Sequence, residues 1–71
     1  PTRYAATYAF YREGLGSARD RLTAYLARDE SRTIVDEPAT ARALAKYLLR
    51  GIDCGAVDAA EVPGVDLAGL L

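Results

Sequence analysis

Apolar residues recur along this chain mainly at helical spacing, and three stretches carry that pattern. In the first, Tyr4, Tyr8, Tyr11 and Leu15 follow one another at intervals of four, three and four, which places them on one stripe of a helix flanked by Ala5 and Ala9. Thr2 is a suitable N-cap, and Gly14 and Gly16 are suitable terminators, so a first helix is expected over about residues 2–14. Ser17, with Asp20 three residues on, reads as a second cap. A second helix over about 17–30 then turns Ala18, Leu22, Tyr25 and Leu26 inward and Arg19, Arg21 and Arg28 outward. One long helix kinked at the glycines is the weaker alternative.

Ser31–Val35 is a connector whose β-branched Thr33, Ile34 and Val35 disfavour helix. Asp36-Glu37-Pro38 is the clearest start signal in the chain: an acidic cap, a second acid at the positive end of the dipole, and a proline in the first turn. The third helix runs over 37–50 and stops at Gly51. Ala41, Leu44, Ala45, Leu48, Leu49 and Ile52 form its inward stripe, with Arg42, Lys46 and Arg50 opposite.

Beyond Gly51 the periodicity fades. Asp53-Cys54-Gly55 reads as a turn, Asp58 and Glu61 as the cap of a short helical turn, Pro63-Gly64 as a break, and Asp66 as the cap of a last turn. The tail over 52–71 keeps Ile52, Val57, Val62, Val65, Leu67, Leu70 and Leu71, too apolar a set for a disordered segment. The fold class is therefore all-α: a small three-helix bundle with an apolar C-terminal tail of short helical turns, in a single domain of 71 residues.

Composition then narrows the chemistry. The chain has one cysteine and no histidine, which rules out an internal disulfide and disfavours both structural zinc and histidine acid–base catalysis. Cys54 has Asp53 and Asp58 nearby, which oppose thiolate formation, so it is read as a packed thiol. Gly14-Leu15-Gly16-Ser17 lacks either phosphate-binding glycine pattern. No serine sits in the Asp-Ser-Leu setting of an acyl carrier protein. Pro1 is a secondary amine of the kind that tautomerases of similar length use as a base. Those proteins have a strand after the proline, whereas a helical pattern follows here, so an inert processed terminus is expected. No catalytic, cofactor-binding or metal-binding residue is assigned.

Charge is unevenly divided. Residues 1–50 hold nine bases against six acids, a net +3, whereas residues 51–71 hold four acids and no base, a net −4. That polarity suits head-to-tail self-association or orientation on a partner, beside the plainer reading that a small domain carries some asymmetry by chance. A helix-turn-helix-like nucleic-acid-binding regulator, using the arginines and tyrosines, is the lesser alternative, because the overall charge is −1 and the arginines are interleaved with acids. No apolar run is long enough to cross a bilayer, and a lone cysteine fits a reducing cytoplasm. Arginine outnumbers lysine eight to one, a bias associated with GC-rich bacterial or phage genes.

The function expected from these exclusions is a small non-enzymatic protein–protein interaction module: a regulator, inhibitor or accessory subunit that binds another protein or itself. Candidate partner-binding residues are Tyr4, Tyr8, Phe10 and Tyr11 in the first helix and Leu67, Leu70 and Leu71 in the tail. So small a bundle also needs bulk, which predicts that Tyr4, Tyr8 and Tyr11 face inward with their hydroxyls at the rim. Phe10, off the stripe, is the better single candidate for an exposed contact.

Overall fold

A computed structural model describes residues 2–28 and 37–71 of the protein. Pro1, the acids Asp29 and Glu30, the connector Ser31–Val35 and the cap Asp36 lie outside the described residues. The described residues are all-helical, without a strand: α1 (Arg3–Leu26), α2 (Glu37–Asp53) and two short 3-10 turns (Ala59–Glu61 and Ala68–Leu70).

The first two expected helices are one. α1 is capped by Thr2, whose Oγ1 accepts the Ala5 N–H at 3.1 Å, and it runs for 24 residues through Gly14-Leu15-Gly16 without a break. Ser17 is therefore an interior residue and not a cap. Two interior glycines cost a helix about 2 kcal/mol relative to alanine. Against this, the stripe Tyr11, Leu15, Ala18 and Leu22 keeps its helical spacing across them, and Leu15, Ala18 and Leu22 are buried. Each buried leucine contributes about 1.5–3 kcal/mol, so burial outweighs the glycines.

α2 starts at the expected residue but passes Gly51 and ends at Asp53. The residue that ends it is Gly55, the one described residue with positive φ (+76°). Around it the Ala56 and Val57 N–H groups return to the Gly51 carbonyl at 2.9 and 3.0 Å, and the Gly55 N–H to that of Ile52 at 3.0 Å.

α1 and α2 pack against each other with their chain directions opposed: Tyr11 meets Gly51, whereas Arg21 and Tyr25 share a groove with Thr40. Their fit depends on two glycines facing two tyrosines. A Cβ on Gly14 would fall on the Tyr47 hydroxyl and lie 2.9 Å from Tyr47 Cζ. A Cβ on Gly51 would lie 3.2 Å from Tyr11 Cδ1 and 2.6 Å from Val57 Cγ2. Each helix thus presents a tyrosine to a glycine of the other.

The tail folds back on its own chain. Val57 and Leu67 join Leu15, Leu22, Leu44 and Leu48 in the core, and Val62 and Leu70 pack partly buried against it. The Asp58–Glu61 capping box forms as the sequence predicts: Asp58 accepts the Ala60 N–H at 3.1 Å, and Glu61 accepts the Asp58 N–H at 3.0 Å. Asp66 accepts the Gly69 N–H at 3.1 Å and closes the last turn. Arg12 joins the tail to α1, donating through Nη1 to both Glu61 carboxylate oxygens, at 2.8 and 3.0 Å, and to the Ala56 carbonyl at 3.2 Å.

Candidate interaction surface

The tyrosine stripe is continuous with the core but is not covered along its whole length. α2 reaches α1 at Phe10 and Tyr11 through Tyr47 and Gly51 and ends two residues later, at Asp53. Every residue from Thr2 to Phe10 is exposed. At 1.5 Å per residue, the part of α1 that precedes the Phe10 contact with Tyr47, residues 3–9, is about 10 Å long.

Tyr4 and Tyr8 lie on this segment, 65% and 43% exposed, against the expectation that they face inward. They do occupy the core-facing stripe, but α2 is too short to cover them. Tyr11 alone of the three is half-buried, against Tyr47 and Gly51. Phe10 is exposed as predicted, at 59%, yet it is not isolated. Its ring packs edge-on to Tyr11, with centroids 5.0 Å apart, and to Tyr47 at 5.3 Å. The Tyr4 and Tyr8 rings lie 6.5 Å apart. Five of the six aromatic side chains thus gather at one end of the helix pair.

Tyr47 is the member that the sequence reading missed. It follows Leu44 by three residues and precedes Gly51 by four, a spacing that places it beside the stripe counted as inward. Its hydroxyl donates to the Phe10 carbonyl at 2.6 Å and approaches that of Tyr11 at 3.1 Å. Burial raises its pKa, so it remains a donor at neutral pH.

Of the tail candidates, Leu67 is committed to the core and Leu70 is half-buried against it, which leaves Leu71 available. Charge at this end is also ordered. Arg3 is the only charged residue between Thr2 and Tyr11, whereas the exposed Asp53 is the last residue of α2. The Arg12–Glu61 pair holds the Glu61 carboxyl below its ordinary range, through the Arg12 hydrogen bond first and the Asp58 N–H second.

These residues all belong to one matched unit. A family model described as Domain of unknown function (DUF6986) matches residues 1–70. The chain belongs to the DUF6986 family. Neither the curated proteins nor the solved structures hold a match to it.

Away from the aromatic end, this DUF6986 chain offers little chemistry among its described residues. No three acidic or cysteine side chains converge as metal ligands, and no helix is long and apolar enough to cross a membrane. Cys54 is half-buried, its Sγ 3.5 Å from the Gly51 carbonyl. An open groove of about 450 Å³ runs between the helices, lined by small side chains such as Ser17, Thr40 and Ala43, with Arg21 its one charged group. Arg28 stacks 3.8 Å over the Tyr25 ring at the opposite, C-terminal end of α1.

Proposed function

We propose that this DUF6986 domain is a non-enzymatic protein–protein interaction module, a bacterial or phage regulator, inhibitor or accessory subunit, that engages its partner with the projecting end of α1. The observation that carries this reading is the uncovered pair Tyr4 and Tyr8, which extend the core stripe beyond the end of α2. Tyrosine is enriched at the energetic centres of interfaces, because it buries a large ring at small entropic expense and keeps a hydroxyl for a hydrogen bond. The segment is held as helix by the Thr2 cap and by the Phe10–Tyr11–Tyr47 ring cluster behind it, so little ordering remains for binding. The lone cysteine fits a reducing compartment, and the arginine bias fits a bacterial or phage gene.

A photo-crosslinking amino acid at Tyr8 tests this in cells that express the chain. A single adduct that disappears on Tyr4→Ser is expected. Labelling no stronger than that from the same group at exposed Arg42 on α2 would refute it.

A further inference from the structure

We infer that the groove between α1 and α2 takes an acidic amphipathic helix of a partner protein. This surface is separate from the projecting tyrosines, and the inference does not rest on them.

The tail leaves that groove open. It is tied to α1 at Arg12, whereas the groove is lined by Arg21, nine residues on. Nine residues make two and a half helical turns, so tail and groove lie on opposite sides of α1. A second stripe, Phe10, Gly14, Ser17 and Arg21, runs along the groove side at spacings of four, three and four. Phe10, the exposed ring, stands at its head. Gly14, Ser17 and Ala43 keep the walls low, so that another helix can approach closely. Past Arg21 and Thr40 the space continues for a further 290 Å³ or so along Ala24 and Tyr25. From Gly14 to Tyr25 the trough is about 16 Å long, enough for about three helical turns.

Charge selects the occupant. Arg21 stands midway along the trough as its one charged lining residue, and it makes no ion pair or hydrogen bond among the described residues. Lys46 and Arg50 follow the lining residues Ala43 and Tyr47 by three, which sets them along the outer edge of α2, exposed and without an ion pair among the described residues. A guanidinium in an apolar trough is matched by a carboxylate, which accepts two parallel N–H bonds from it. Its place midway suits a helix with an acid in its central turn, whereas a fatty-acid-like molecule carries its carboxylate at one end. Further acids on one side of that helix meet Lys46 and Arg50. Glu13 and Asp20, exposed along the α1 edge, repel acids there and so fix which side of the incoming helix faces α2. A second copy seated face to face adds another Arg21 to the trough and no acid from its own lining residues.

A phage-displayed library of helical peptides of about 14 residues, apolar at i, i+3, i+4 and i+7 and randomised elsewhere, is selected against the immobilised full chain. Enriched peptides are expected to carry Asp or Glu in the central turn. Measured by fluorescence anisotropy as synthetic peptides, they should bind at least about tenfold more weakly to Arg21→Glu and to Ala43→Trp, which fills the trough. Tyr4→Ser with Tyr8→Ser should leave their affinity unchanged. Replacing the peptide's central acid with lysine should restore binding to Arg21→Glu, which also shows that this variant is folded. No enrichment, enrichment without the central acid, binding indifferent to Ala43→Trp, binding lost with the tyrosine pair, or an acid-to-lysine exchange that restores nothing overturns the inference. Sedimentation equilibrium of the chain alone should give a monomer; a dimer that Ala43→Trp abolishes assigns the groove to a second copy and overturns the inference too. The Tyr8 crosslink is read independently of all these outcomes.

Discussion

Tyr47 donates its hydroxyl proton to the carbonyl of Phe10, 2.6 Å away, through the space that Gly14 leaves by having no side chain. Gly14→Ala gains about 1 kcal/mol of helix propensity and places a methyl group on the Tyr47 oxygen, an overpacking that costs about 1–3 kcal/mol. A net loss of about 1 kcal/mol is expected in urea unfolding. Gly16→Ala is the control: nothing lies within 4 Å of its Cβ position, so the same change there stabilises by about 0.5–1 kcal/mol.

Removing the oxygen should ease the clash. Tyr47→Phe forfeits a hydrogen bond worth about 1 kcal/mol, and in that background Gly14→Ala should cost less than it does in the native chain. A double-mutant cycle measures the difference, and additive effects would show that the pair does not interact.

Acid should loosen the tail before it unfolds the helices. Glu61 is held below its ordinary pKa by Arg12 and by the Asp58 N–H. A depressed carboxylate pKa stabilises fully above the unfolded value, and that contribution is lost as pH falls through the folded one. Arg12 is shifted up and stays charged throughout. Thermal midpoints followed from about pH 7 to about pH 3 should fall less steeply for Glu61→Gln than for the native chain, from a lower starting value. Added salt should narrow the gap.

Core and projecting residues should differ sharply. Leu22 and Leu48 are fully buried, so truncation to alanine costs about 2–5 kcal/mol, enough to unfold much of so small a chain at room temperature. Tyr4→Ala, at a site 65% exposed, should change monomer stability by less than about 0.5 kcal/mol. Circular dichroism melts at low concentration distinguish the two.

Residues whose roles are local were legible in the sequence. The α2 stripe, the Asp58–Glu61 box and the turn at Gly55 depend on neighbours a few positions away. Gly14 and Gly51 were misread as helix ends because glycine's local preference is the same whether it closes a helix or admits a neighbour. Gly14's partner stands 33 residues away, at Tyr47. The unbroken spacing of Tyr11, Leu15, Ala18 and Leu22 was the signal that could have settled the matter for α1. The exposure of Tyr4 and Tyr8 was illegible for another reason: a stripe gives the direction a side chain faces, and only the length of the opposing helix determines what it meets there.

The paired tyrosines and glycines also restrict how the two helices can be aligned. Apolar stripes alone would tolerate a slip of one turn, exchanging one leucine contact for another. A slip that moved Tyr47 by a turn would set it against Phe10, Tyr11, Ser17 or Ala18, each of which carries a Cβ where Gly14 has none. Tyr11 and Gly51 impose the same condition a turn away. Like two keys cut for two slots, they leave a single register open, so that the glycines which weaken each helix individually give the hairpin one native alignment in place of several.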